Sequence, residues 1–299
     1  MILKRLCVEL IDLRANLVGY WKLNDSSLSS YSVLDSSVSA NNGVSQRYTA
    51  NLASSGKVLG AFTFDNTIPD RVNIGNQSEL NFGLNTSFTV CLWAKVTART
   101  GNDYDTLLCK GDANYGYAIM IGATGWWIFL WDTDEYPCIN FGTDALLGDW
   151  HFFAFVIDRD NTVLKAYLDG TFVGSPVSIA TLGTLSNTGN FVLGDYSDLG
   201  YPFKGLLDNV MVFNKALNED ELDFLCANNS GTERVYEVEF TFDSVGIEPV
   251  LSMGVNSDVK LSGTIACEAE LFSSIACGAK LCGDDAVVLA KHDCLVTIH

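Results

Sequence analysis

Apolar and polar residues alternate with a period of two along much of the chain, most regularly in residues 148–174, GDWHFFAFVIDRDNTVLKAYLDGTFVG. Phe153, Phe155 and Ile157 fall on one face of a predicted strand, and Leu164, Ala166 and Leu168 fall on one face of the next. Asp169-Gly170 supplies the positive backbone dihedrals of a tight hairpin, so a third strand is expected from Thr171. Similar turn signals recur at Asn41-Asn42-Gly43, Ser55-Gly56, Gly101-Asn102-Asp103, 122–125 and 187–190, the rhythm of two packed antiparallel sheets. One helix is predicted within this region, capped by Asn218 with Glu219, Asp220 and Glu221 in its first turn, where the helix dipole favours acids.

The two ends read differently. Leu3, Leu6, Leu10, Leu13 and Leu17 recur at 3-4-3-4 spacing with charges between them. That seam predicts a short amphipathic helix over 2–16, packing on the sandwich or docking on another subunit. Beyond about residue 233 the alternation returns in VYEVEFTFDSVGIEPVLSMGV. A ten-residue repeat follows, SGTIACEAEL at 262–271 and FSSIACGAKL at 272–281. Its small residues at alternate positions predict closely approaching strands, and so little large apolar material needs a second chain or the sandwich to cover it.

Several segments together resemble the concanavalin A-like, laminin G-like jelly rolls. The Trp150-His151 start of the hairpin, its strand ending in Asp158, and Tyr167-Leu168-Asp169-Gly170 are similar to that family's signature hairpin. LVGYWKLN at 17–24, AFTFD at 61–65 with RVNIG at 71–75, SFTVCLWA at 87–94 and FKGLLDNVMVFNKAL at 203–217 follow in the family's order. The resemblance covers roughly residues 17–228 and implies an all-β, two-sheet antiparallel jelly-roll sandwich, with a structural hydrogen bond as the ordinary role of His151. It also implies a structural Ca²⁺ between the positions matched here by Asp65 and Asp208. The sequence departs from that pattern, with Asn66 in place of glycine, one residue inserted before Asp70, and Asn209 in place of glutamate.

Composition narrows the partners. Asp and Glu outnumber Lys and Arg by 36 to 18, a formal charge of −18 that argues against polynucleotide. No apolar run approaches the ~20 residues of a membrane-spanning helix. MILKRLCVELIDLRAN lacks the continuous apolar segment and small-residue cleavage site of a secretory signal. For an adhesive fold, that reading directs the expectation to release inside an assembled virus particle. The nine cysteines are odd in number and irregular in spacing, which predicts thiols rather than a disulfide framework, with Cys91 a buried strand residue.

Residues 113–136, ANYGYAIMIGATGWWIFLWDTDEY, concentrate aromatic rings beside acids. Sugar rings stack their C–H faces on aromatics and give their hydroxyls to carboxylates and amides, so this stretch is the candidate glycan site. Period two sets Trp127, Phe129 and Trp131 against Trp126, Ile128 and Leu130, and one of these faces must be core. Trp131, Asp132, Asp134 and Tyr136 at the strand's end are the predicted ligand-binding residues. Glycosidases of related folds alternate acids along one strand, whereas 132–135 reads as a turn and 219–223 as a helix start. With three histidines in the chain, no catalytic residue is assigned. Cys277, Cys282, His292 and Cys294 lack the paired C-x-x-C spacing of a zinc site.

The expected organisation is a docking segment at 1–16, a jelly-roll sandwich at 17–230 and a small β-rich domain at 231–299. The expected function is non-enzymatic: a bacteriophage virion component that attaches to a cell-surface glycan, with other virion proteins or its own copies, in a homotrimer or similar multimer, as partners. The alternatives are a bacterial surface adhesin, extracellular or at the cell surface, and a glycoside hydrolase of the same fold.

Overall fold

The computed structural model describes residues 6–66, 70–140, 147–196 and 200–242, with short strands at Leu251–Met253, Val259–Ser262, Glu270–Leu271, Lys280–Leu281 and Leu289–Ala290. The chain divides into two compact units, one of residues 16–233 and one combining 1–15 with 234–299.

The larger unit is a sandwich of antiparallel sheets. One sheet runs β12 (Cys138–Asn140), β11 (Gly125–Trp131), β10 (Gly116–Gly122), β9 (Tyr104–Gly111), β16 (Phe191–Leu193), β7 (Val72–Gly75), β4 (Gly43–Ser45) and β3 (Ser32–Val33). The other runs β15 (Thr171–Ser178), β14 (Val163–Leu168), β13 (Trp150–Asp158), β8 (Phe88–Val96), β17 (Gly205–Phe213), β6 (Gly60–Phe64) and β5 (Ala53–Ser55), with β2 (Leu17–Trp21) also pairing with β17. Neighbours in sequence are often apart in space, as a jelly roll requires.

The hairpin forms as its pattern predicts. Phe153 lies opposite Leu168, Phe155 opposite Ala166 and Ile157 opposite Leu164, and this face packs into the core. Asp169 and Gly170 adopt φ of 52° and 79°, the left-handed pair of a two-residue turn. The Asp169 carboxylate pins the turn to the strand start, accepting from the Phe152 N–H at 2.9 Å and lying 2.7 Å from His151 Nδ1. The core between the sheets is aromatic: Phe82 stacks on Phe88 at 4.0 Å, Trp126 on Phe153 at 3.9 Å and Trp21 on Phe191 at 5.2 Å. Each such side chain contributes about 1.5–3 kcal/mol when fully buried. The predicted helix, α1 (Glu219–Cys226), begins with a capping box in which the Glu221 N–H donates to Asn218 Oδ1 and the Asn218 N–H donates to Glu221 Oε2. Cys91, Cys109, Cys138 and Cys226 are free thiols, and Cys91 is fully buried.

The amino-terminal helix is a correction. Residues Leu6–Asp12 form a strand, β1, paired antiparallel along its whole length with β18 (Tyr236–Phe242), from Leu6 opposite Phe242 to Asp12 opposite Tyr236. A helix of two heptads has too few turns to stand without packing, and LCVELID alternates well enough to join a ladder that satisfies every rung. The strand ends where the Asp12 carboxylate accepts from the Arg14 backbone N–H and guanidinium, opening a single 3-10 turn at Arg14–Asn16. Leu13, one of the seam residues, is fully buried. The second unit therefore draws on both chain ends. Most of the ten-residue repeat lies outside the described residues; its closing pairs, Glu270–Leu271 and Lys280–Leu281, both bond to Leu251–Met253. The cysteine and histidine set at 277–294 also lies outside them.

Candidate functional site

The alternation in β11 sorts its side chains between the two faces of its sheet. Trp126, Ile128 and Leu130 enter the core, while Trp127, Phe129 and Trp131 line the opposite face. On that second face the register sets Gly116 across from both Trp131 and Gly111, and Ala118 across from Phe129 and Cys109. Small residues thus face large ones. A Cβ on Gly111 or Gly116 would overlap the Trp131 indole, so the paired glycines are what let this ring lie against the backbone. Its Nε1–H donates to the Asp112 carbonyl oxygen at 3.1 Å, leaving the residue 6% exposed.

Above this floor lies a cavity of about 330 Å³, lined by Tyr104, Met120, Phe129 and Trp131 from the strands and by Ala113, Tyr136, Tyr196 and Tyr201 from the loops. The rings meet at steep angles. Tyr104 stands edge-on to Phe129 at 5.3 Å, Tyr196 edge-on to Tyr201 at 6.1 Å, and Tyr196 covers Trp131 at 5.9 Å. Tyr136 is the open wall, 67% exposed. Burial, with the nearby Cys109 and Asp112, pushes the Tyr196 phenol well above its usual range, so it remains a neutral donor. The site offers apolar ring faces with a few hydroxyls, the pattern of a small-ligand pocket.

Of the four residues predicted to bind ligand, Trp131 and Tyr136 line this cavity and the two acids are placed otherwise. Asp132 is 5% exposed and its oxygens are occupied by the backbone. Oδ1 accepts from the N–H groups of Asp134 and Glu135 at 2.8 and 2.7 Å, and Oδ2 accepts from Gly183 N–H at 2.5 Å. Burial alone would raise its pKa, yet these backbone bonds and Arg159 hold it below the ordinary carboxylate range. It shapes the turn that presents Tyr136. Asp134 is exposed, with Thr133 Oγ1 at 3.3 Å from its Oδ2. Tyr104, Ala113, Met120, Phe129, Tyr196 and Tyr201 were not predicted. Phe129 was legible, since it shares the alternate face with Trp131; Tyr196 and Tyr201 arrive on a loop that carries no periodic signal.

The two residues expected to hold calcium lie apart on their ladder. Phe64 lies opposite Gly205 and Phe62 opposite Leu207, so Asp65 and Asp208 stand four rungs apart on one ladder, roughly 13 Å. Asp208 is fully buried; Oδ2 accepts from Val58 N–H at 2.8 Å and Oδ1 has no hydrogen-bond partner. Desolvation pushes its pKa up to about 7 against the opposing backbone bonds, with Glu233 adding to the rise. Among the described residues no three His, Cys, Asp or Glu side chains converge here. The acid beside Asp65 that does hold a loop is Asp70, which accepts from Arg47 at 2.7 and 2.5 Å and from the Asp65 N–H at 3.1 Å.

This Asp208 geometry sets a pH dependence. The folded state retains a proton that the unfolded chain releases near pH 4, so Asp208 lowers stability as pH rises from about 4 to about 7. Asp208→Asn mimics the protonated acid and keeps an acceptor for Val58. It is expected to raise the Tm at pH 8 by the equivalent of about 1–3 kcal/mol and to converge with the parent near pH 4. Thermal melts of both proteins across that range check it; a Ca²⁺-dependent rise in the parent's Tm at pH 8 that the variant loses would instead mark a metal ligand.

Two antiparallel sheets packed as a sandwich define a concanavalin A-like fold. Residues 65–223 match the family described as the Concanavalin A-like lectin/glucanases superfamily, Laminin_G_3, and the chain belongs to it. Among solved structures it is similar to the binding domain of Paraclostridial Mosquitocidal Protein 1, at 17% identity and TM-score 0.58 over 71% of this chain and 52% of that one. It is similar to the botulinum neurotoxin serotype D ligand binding domain in complex with N-acetylneuraminic acid, at 14% identity and TM-score 0.54 over 71% and 51%. It also resembles domain 4 of AbnA, a GH43 extracellular arabinanase from Geobacillus stearothermophilus, in complex with arabinotriose, at 17% identity and TM-score 0.53 over 73% and 98%. The chain spans about half the length of the two toxin domains. No curated protein sequence matches it.

Proposed function

We propose that this chain is a non-catalytic attachment protein that holds a glycan in the cavity between Trp131, Tyr136, Tyr196 and Tyr201. The observation that carries the reading is the cavity itself: an open, ring-lined recess with phenol hydroxyls on the sheet face turned away from the core. The similar toxin and arabinanase domains support a binding role. The acids nearest the cavity do not have the disposition of a sugar-cleaving pair, since Asp132 serves its own turn.

Tyr136→Ala tests the reading with little risk to folding, because that ring is mostly in solvent. Loss of one stacked ring is expected to weaken glycan binding by about tenfold, roughly 1.4 kcal/mol, with the Tm unchanged within a degree or so. Titration calorimetry against a glycan identified on an array checks it. Release of reducing sugar from the same glycan, abolished by a single acid substitution, would make the protein a hydrolase instead.

The attachment role is placed on a bacteriophage particle, with the two-ended second unit fixing the protein to its own copies or to other virion proteins. The repeated sequence at 262–281 supports this, since a tandem repeat rich in small residues suits pairing between chains. Mass spectrometry of purified virions and light scattering of the full chain test it; a monomer confined to bacterial surfaces would favour the adhesin.

A further inference from the structure

We infer that the cavity selects uncharged glycans and rejects acidic ones, a conclusion that rests on the glycan reading and names the ligand class within it. The lining residues include neither lysine nor arginine. Sequence extends this beyond the lining. The stretches that supply the site from β10 to β13 and from β14 to β16, residues 111–158 and 166–203, contain no Lys or Arg. They contain seven and three Asp or Glu respectively.

Three cations near these stretches, Arg99, Arg159 and Lys110, are committed elsewhere; Lys165 and Lys204 flank the second stretch in sequence and lie outside the cavity lining. Arg99 bonds to the fully buried Asp105, at 2.9 Å, and to the Gly122 carbonyl. The Arg159 guanidinium donates to the carbonyls of Leu182 and Gly183 at 2.8 and 2.7 Å. Lys110 Nζ is enclosed by Asn76, Asn81, Asn187 and Gly189 oxygens. None of these three is free to receive a carboxylate or sulfate.

The local charge is negative instead. Asp112 joins the Trp131 floor through its carbonyl, and although burial works against it, backbone N–H bonds from Asn114, Thr188 and Tyr115 hold its side chain ionised. Asp134 and Glu135 immediately precede Tyr136. A sialic or uronic acid seated on these rings would bring a carboxylate toward like charges, which disfavours the acidic ligand. A neutral sugar meets the same groups favourably, giving its hydroxyl protons to the rim acids and its C–H face to the rings. The site therefore differs in ligand class from that of the neurotoxin domain solved with N-acetylneuraminic acid, despite the shared fold.

Related pairs of unlike charge test this: lactose with 3′-sialyllactose, cellotriose with its oxidised uronate, and N-acetylchitotriose with its deacetylated, cationic form. Binding is read by calorimetry on the full chain, Tyr136→Ala and the charge-reversed Asp134→Lys/Glu135→Lys. The expected result is at least a tenfold preference for one or more neutral members over their acidic partners, about tenfold weaker binding in Tyr136→Ala, and a preference narrowed several-fold by the charge reversal. Equal or tighter binding of the acidic members that still requires Tyr136 would overturn the inference and leave the glycan reading standing. Tighter binding of the deacetylated chitotriose would overturn it in favour of a cationic ligand. Binding of no member at millimolar concentration would overturn the inference and the glycan reading together.

Discussion

Lys110→Met is expected to lower the stability of the sandwich by about 3–5 kcal/mol, a drop in Tm of roughly 10 °C for a unit of this size. Lys110 sits on β9 with its side chain fully buried, an unusual place for an ammonium. Its Nζ lies 3.1 Å from Asn76 Oδ1, 3.0 Å from Asn81 Oδ1, 2.9 Å from Asn187 Oδ1, 2.8 Å from the Gly189 carbonyl and 3.4 Å from that of Asn187. No carboxylate shares the cage, so desolvation dominates and pushes the lysine pKa down to about 8. Methionine preserves the length of the side chain and removes all three donors. The amide and carbonyl oxygens are then left buried without partners, at about 1–3 kcal/mol each where water cannot follow. Thermal and urea denaturation of the single variant check the magnitude. A loss under 1 kcal/mol would mean that the loops at 76–81 and 187–189 hold their places without the cation.

Gly189→Ala is expected to be comparably damaging, for a steric reason. A Cβ at this position would overlap the carbonyl oxygen and carbon of Gly111, backbone against backbone, where no side chain can rotate away. The loop must lift. As it lifts, the Gly189 carbonyl leaves Lys110, and the bonds from the Thr188 N–H and hydroxyl to Asp112 Oδ2, at 3.1 and 3.2 Å, are strained. A cost of about 3 kcal/mol or more places it among substitutions with a named structural cause. Because both changes break the same contact, the double variant Lys110→Met/Gly189→Ala is expected to cost at least 1 kcal/mol less than the sum of the singles. Additivity within 0.5 kcal/mol would show that the two residues act separately.

These two positions mark where sequence stops speaking. The hairpin at 148–174, the capping box at Asn218 and the sorting of β11 into two faces are local, because period two and turn chemistry are written in consecutive residues. Trp131 and Tyr136 were legible for the same reason. The lysine cage joins residues 34, 29 and 77 positions from Lys110, and neither composition nor spacing marks three asparagines as its partners. The amino-terminal seam misled because leucines at helical spacing can also satisfy a ladder, and the choice was made by Tyr236–Phe242, more than two hundred residues away. For Asp65 and Asp208 the resemblance located both acids, and only the rungs of β6 and β17 measure the span between them.

The aromatic recess has two kinds of wall. Tyr104, Met120, Phe129 and Trp131 belong to strands locked by their ladder and by the glycines beneath the indole, whereas Ala113, Tyr136, Tyr196 and Tyr201 ride on connections between strands. Tolerance to exchange is divided accordingly: replacing Asp134, Glu135, Tyr136 or Tyr201 is expected to redirect what is recognised while the foundation keeps its melting behaviour, so affinity and architecture can be altered one at a time.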